Sequence, residues 1–179
     1  MGIYYDRYRR KIFEHYGLSC KHCGDQTYGF LTIDHLDRST KKICAASIRG
    51  GADFYRWLIN NGLPEGFQTL CRNCNFLKYK LTIKRASLRM DLIMISESYR
   101  QKVFQHYGEK CACCSISDIR VLTIDHIDPS TKKQKGHLNV GYSIHYWLIK
   151  NNFPLGFQTL CHNCNWGKHI YGVCPHQLK

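Results

Sequence analysis

Gly66-Phe-Gln-Thr-Leu-Cys71-Arg-Asn-Cys74-Asn75 recurs as Gly156-Phe-Gln-Thr-Leu-Cys161-His-Asn-Cys164-Asn165. In each copy a short strand, Phe67–Leu70 in the first, runs into a cysteine pair that opens a helix through Asn75 and Lys78, or Asn165 and Lys168. Outward from this core the match continues. Tyr8–Gly17 answers Tyr99–Gly108, and Cys20-x-x-Cys23 answers Cys111-x-x-Cys114. Leu31-Thr-Ile-Asp34-His35 answers Leu122-Thr-Ile-Asp125-His126, and Trp57-Leu-Ile answers Trp147-Leu-Ile. The offset is 91 residues from Tyr8 to His35 and 90 from Trp57 to Lys78, so the second copy is one residue shorter in the loop between. The repeat predicts an α+β protein of two tandem units, residues 1–80 and 98–179, with a helical linker over 81–97. Such a chain is a single-chain pseudo-dimer, suited to a partner with approximate two-fold symmetry such as duplex DNA, and able to act as a monomer.

Each unit is small enough to need staples beyond its apolar core. The chain has 11 cysteines, eight of them in four C-x-x-C pairs. Cys44, Cys113 and Cys174 have no counterpart in the other copy. An odd total argues against a closed disulfide framework and for reduced thiolates that hold metal. The opening residues lack the apolar core of a secretory signal, and Leu92–Ile95 is far too short to span a bilayer. The expectation is a cytoplasmic protein of a reducing compartment, of phage, bacterial or organellar origin, with no membrane partner. Net charge is +13. Residues 1–88 carry 15 Lys and Arg against 7 Asp and Glu, and residues 89–179 carry 11 against 6. Both halves are basic, which points to a polyanionic partner, although solubility alone also fits.

Each unit is expected to open with a helix whose buried stripe is Tyr8, Ile12, Phe13 and Tyr16, or Tyr99, Val103, Phe104 and Tyr107, closed by Gly17 or Gly108. Arg9, Arg10 and Lys11, or Arg100 and Lys102, then form a polar face that is either solvated or set against phosphates. Strands are expected over Phe30–His35 and Val121–His126, followed by polar loops at Asp37–Gly51 and Asp128–Gly141. Amphipathic helices follow near Ala52–Asn61 and Tyr142–Asn151, with the tryptophan and leucine as anchors.

Two C-x-x-C pairs per copy suit one tetrahedral zinc with four thiolates: Cys20, Cys23, Cys71 and Cys74, then Cys111, Cys114, Cys161 and Cys164. The pairs are separated by 47 and 46 residues, so each zinc would clip a whole subdomain. Four thiolates leave no open position for water, which makes two such zinc ions structural. Iron–sulfur ligation and disulfides are the alternatives.

An Asp-His dipeptide says little alone. Here it ends a strand, is followed by a strand and a Cys-x-x-Cys-Asn-x-x-Lys helix, and occurs twice. This pattern resembles the HNH endonucleases with their ββα-metal core, and within them the zinc-stapled phage recombination endonuclease VII type. Residues 18–78 and 109–168 carry the resemblance, which implies a ββα-metal unit in each copy. It implies His35 and His126 as general bases, with Asp34, Asn75, Asp125 and Asn165 as catalytic oxygen ligands for one Mg²⁺ or Mn²⁺ per site. It also implies 5′-phosphate and 3′-hydroxyl products. Lys78, Lys168 and His137 are candidates for phosphate contact, with surface solvation as the plainer role. Gly66 and Gly156 stand where many of these enzymes have a bracing asparagine; Asn73 and Asn163 are alternative braces. His137 lies in Lys135-Gly-His137, opposite Cys44-Ala-Ala-Ser47 of the first copy, so the two sites are expected to differ.

The leading expectation is a metal-dependent endonuclease that cuts both strands of double-stranded DNA, site-specific and of homing or restriction type. Resolution of branched DNA such as Holliday junctions stays open beside it. A zinc-dependent DNA- or RNA-binding module without catalysis is the competing class, and an interaction protein the weakest.

Overall fold

The structure, a computed structural model, describes residues 3–37, 40, 51–82, 90–128 and 144–178. His137, Cys44 and most of the two lysine-bearing loops lie outside the described residues. The fold is mixed α+β, with two small antiparallel two-stranded sheets. The chain divides into two compact units, Met1–Asn75 and Phe76–Lys179. Among the described residues no helix is long and apolar enough to cross a membrane.

In the first unit, helix α1 (Ile3–Tyr16) leads to strand β1 (Leu31–His35), helix α2 (Gly51–Asn60), strand β2 (Phe67–Cys71) and the start of helix α3 (Arg72–Thr82). Helix α1 ends because Gly17, at φ +112°, takes a backbone conformation open to glycine, and its N–H returns to Phe13 O at 2.8 Å. The buried stripe of α1 differs from the sequence expectation. Arg9, Ile12, Phe13 and Tyr16 face inward, Arg9 at 4 % exposure, whereas Tyr8 is 41 % exposed. The guanidinium is accommodated because Nη2 donates to Tyr28 O at 2.9 Å and Leu31 O at 2.8 Å. It also lies over the rings of Tyr28 and Phe13 at 4.5 and 5.0 Å. Arg9 therefore ties α1 to the entry of β1, and the phosphate-facing alternative does not apply to it.

Strands β1 and β2 pair with Leu31 opposite Cys71 and His35 opposite Phe67. Phe13, Phe30, Leu31 and Leu58 fill the core, and Tyr16 OH donates to Pro64 O at 2.7 Å. Helix α2 ends in a Schellman-like cap, with Gly62 N to Ile59 O at 3.1 Å and Leu63 N to Leu58 O at 2.8 Å.

The second unit contains helix α4 (Met90–Tyr107), strand β3 (Leu122–His126), helix α5 (Ile144–Lys150), strand β4 (Phe157–Cys161) and helix α6 (His162–Tyr171). Helix α4 begins at Met90, within the stretch expected as a linker, and runs without a break into the expected opening helix. Its internal bonds repeat those of the first unit. Arg100 Nη2 donates to Leu122 O at 2.9 Å and also to Ile119 O. Tyr107 OH donates to Pro154 O at 2.7 Å, and β3 pairs β4 with Leu122 opposite Cys161 and His126 opposite Phe157. His145 takes the place of buried Tyr55, its ring edge-on to Phe104 at 5.9 Å as Tyr55 is to Phe13 at 6.4 Å.

Candidate metal and catalytic site

Each cysteine cluster forms where a knuckle folds against the end of a strand. The first knuckle is closed by Cys20 N to Asp25 O at 2.8 Å and Gly24 N to Cys20 O at 2.9 Å, and Lys21 N anchors it to Thr69 O of β2 at 2.9 Å. The second uses Cys111 N to Ile116 O, Ser115 N to Cys111 O and Ala112 N to Thr159 O, each at 2.9 Å. These bonds bring Cys20, Cys23, Cys71 and Cys74 together, and separately Cys111, Cys114, Cys161 and Cys164, with ligand atoms within 4.8 Å of one another. Cys23 and Cys71 sulfurs are 3.7 Å apart, and those of Cys114 and Cys161 are 3.8 Å apart. Tetrahedral geometry with zinc–sulfur bonds of about 2.3 Å requires about 3.8 Å. Both groups are compatible with structural zinc in spacing and donor chemistry. Burial and the charge on Cys71 push Cys74 far above an ordinary thiol. Hydrogen bonds with Cys111 and Cys161 push Cys164 up likewise. Sulfurs this crowded cannot all be thiolates without a cation among them.

Asp34 and His35 end β1, and Asp125 and His126 end β3. The chain continues the ladder one step beyond each histidine: Leu36 N donates to Gly66 O and Ile127 N to Gly156 O, both at 2.8 Å. Gly66 and Gly156 hold φ of +99° and +96°, a region that disfavours any side chain. This accounts for glycine where the resembled enzymes often carry asparagine.

The His35 ring lies against Phe67 at 4.9 Å and stacks on Phe54 at 5.7 Å. The His126 ring lies against Phe157 at 4.7 Å, and Ile144 stands at the position of Phe54. An aromatic wall therefore backs His35 on two sides, and the two histidines have different surroundings.

Asp125 is only 4 % exposed. Its Oδ2 accepts from Lys168 Nζ at 2.6 Å and from Gln158 Nε2 at 3.1 Å. The same ammonium donates to His126 O at 2.6 Å and Ile127 O at 3.0 Å. Three oxygens at the end of β3 thus surround a cation supplied by α6. Sequence alone offers Lys168 as a phosphate contact or a solvated surface lysine; here its ammonium donates inside the unit. Asn165 lies three residues earlier on α6, one turn from Lys168 on the same side of the helix. Asn73 and Asn163 are buried between their cysteines. Asn75 and Lys78 are half-buried on α3.

On the outer face of α1, Arg7, Tyr8, Arg10, Lys11 and Glu14, with Ile59 of α2, line a groove of about 560 Å³. Three cations against one carboxylate make it a cationic surface within the first unit. Two further features escape sequence reading. His22 Nδ1 lies 3.5 Å from Cys74 Sγ. In the second unit Cys113, Cys174 and His176 gather beside Cys164. The sequence signal for both is the knuckle itself, where Cys113 occupies the position of His22 at the same offset of 91. Comparison with protein-family models, with curated proteins and with solved structures finds no match.

Proposed function

We propose that the chain is a metal-dependent endonuclease of the HNH type, with one ββα-metal site in each unit, acting on double-stranded DNA as a single-chain pseudo-dimer. The observation that carries this reading is the convergence at the end of β3. The buried Asp125 carboxylate and the carbonyl of the neighbouring His126 both accept from Lys168 Nζ of α6, and Asn165 sits one turn earlier on that helix.

The donor set fits a small divalent cation in kind. Asp125 offers hard carboxylate oxygen and Asn165 an amide oxygen, and in the first unit Asp34 and Asn75 do the same. The Asp125 carboxylate sits against the Lys168 ammonium at 2.6 Å, which a divalent ion would have to displace from that oxygen. These residues would hold one Mg²⁺ or Mn²⁺ per site, and such an ion supplies Lewis-acid stabilisation of the leaving oxygen. His35 and His126 accept the proton of the attacking water as its oxygen bonds to phosphorus and the bond to the 3′-oxygen breaks. The departing 3′-oxygen takes a proton from solvent water, so that the products are a 5′-phosphate and a 3′-hydroxyl. The Phe67 and Phe157 rings limit how far each imidazole can turn. Arg7, Arg10 and Lys11, which line the groove on the outer face of α1, would supply phosphate contacts. Zinc at the two four-cysteine groups holds each site's second strand and helix to its knuckle.

The Lys168–Asp125 pair favours one competing reading, a zinc-dependent nucleic-acid-binding module. A carboxylate this buried, paired at 2.6 Å with a lysine whose side chain is 17 % exposed, also satisfies a purely structural role. The two are separated by incubating end-labelled duplex and four-way-junction DNA with the protein, with and without Mg²⁺ or Mn²⁺. Cleavage that appears only with the divalent ion supports the enzyme. Binding with no cleavage of either substrate under any ion supports the module.

A further inference from the structure

The second unit holds more metal-binding groups than one zinc can use. Beyond Cys111, Cys114, Cys161 and Cys164, it gathers Cys113, Cys174 and His176 around Cys164, with one ligand atom from each within 4.8 Å of the others. His176 Nδ1 is 3.4 Å from Cys164 Sγ and 3.8 Å from Cys174 Sγ. A tetrahedral zinc with bonds of about 2.3 Å to sulfur and about 2.0–2.1 Å to nitrogen sets sulfur–nitrogen edges at about 3.6 Å. The measured separations bracket that edge. Cys164 and Cys174 are both buried, so their sulfurs are shielded from water.

The chain takes a specific path to make this cluster. Gly172, in the left-handed conformation at φ +77°, ends α6 and reverses the chain. Pro175–Gln177 then forms a 3-10 turn packed back on α6, with Cys174 as its N-cap. Cys164 and Tyr171 are seven residues apart on the helix, a rise of about 10.5 Å. Three residues, Gly172–Cys174, span at most about 11 Å. Cys174 therefore meets Cys164 only because the tail doubles straight back along α6. A doubled-back tail that delivers both a thiol and an imidazole to a third cysteine is the layout of a metal site.

We propose that the second unit binds two zinc ions, with the Cys164 thiolate bridging them. One ion takes Cys111, Cys114, Cys161 and Cys164; the other takes Cys113, Cys164, Cys174 and His176. Seven ligands fill two tetrahedra with one shared corner, and none is left over. Charge balances as well: the second Zn²⁺ brings two positive charges and meets two further thiolates and a neutral imidazole. Among the described residues the first unit has no equivalent cluster. His22 replaces Cys113, and at the repeat offset of 90 the positions of Cys174 and His176 fall on Lys84 and Ala86. The whole chain then carries three zinc ions. The inference is independent of the nuclease reading, since it concerns what holds the second unit together.

The test is zinc stoichiometry of the full chain, purified under reductant, by native mass spectrometry and elemental analysis. It compares wild type with the paired substitution Cys174→Ser and His176→Gln. Three zinc ions in wild type and two in the variant are expected. Two in both, or three in both, overturn the proposal. A measurement on wild type alone guards against a variant that misfolds: after exchange with ¹¹³Cd, three resonances are expected, two of them scalar-coupled through the shared sulfur. Three uncoupled resonances, or only two, contradict the bridge. A Cys113–Cys174 disulfide, visible as a mass two hydrogens lower once metal is stripped, contradicts it also.

Discussion

At the scale of single residues, Arg9 shows how a charge becomes a core residue. Its donors meet two backbone carbonyls at the entry of β1, and its plane covers two rings. Arg9→Ala removes both bonds and strands the carbonyls, with an expected loss of about 2–4 kcal/mol in chemical denaturation. Arg10→Ala, on the exposed side of the same helix, is expected to change stability by less than about 0.5 kcal/mol and to weaken nucleic-acid binding instead. His145 gives a pH signature. Burial, then the charges of Arg100 and Lys80, hold its pKa down to about 4. Because the folded value is depressed below the ordinary 6.5, its contribution is present above pH 6.5 and is lost as pH falls toward 4. Denaturation midpoints of wild type are therefore expected to fall across that window faster than those of His145→Gln. Parallel pH curves would contradict the assignment. None of this was legible from hydropathy, which scores arginine as surface and so turned the stripe of α1 by one residue, onto Tyr8. Only the carbonyls awaiting a donor at Tyr28 and Leu31 reveal why Arg9 points inward.

At the scale of elements, β1 was readable because its apolar residues alternate about Thr32, and β2 because it runs from Phe67 into the cysteine pair that fixes its end. The Asp-His pairs fall at the strand ends for the same reason. The turn before β4 gives a clean test of backbone strain. Nothing lies within 4 Å of a Cβ built on Gly156, yet φ is +96°. Gly156→Ala is thus expected to destabilise by about 1–2 kcal/mol through conformation alone, read from thermal or urea unfolding. A neutral result would mean that the turn relaxes. The tail after α6 was not legible: Cys174-Pro-His176 acquires meaning only once Gly172 reverses the chain onto Cys164. Helix α4 likewise extends back to Met90 with no capping signal in the sequence to mark its start. Lys168 was legible as sharing a helix face with Asn165 but not as the partner of Asp125. A lysine's reach across the end of a strand depends on how the helix packs, which spacing does not encode.

At the scale of the whole molecule, duplication, positive charge in both halves and paired four-cysteine groups combine into one account. In the proposed reading, metal-stapled units each present an aspartate, a histidine and an asparagine to duplex DNA. Stripping zinc with a strong chelator is expected to lower the melting temperature and collapse the helical circular dichroism, because knuckle and strand end lose their common anchor. Unchanged melting would mean that the cysteine groups pack without metal. The central claim is two cutting sites in one chain. It is tested most directly by incubating supercoiled plasmid and Mg²⁺ with wild type, His35→Ala, His126→Ala and the double variant, and separating the products by topology. The account predicts linear product from wild type, nicked circles from each single variant at different rates, and uncut plasmid from the double. Linear product from the double variant, or intact plasmid with wild type that still binds it, would contradict it.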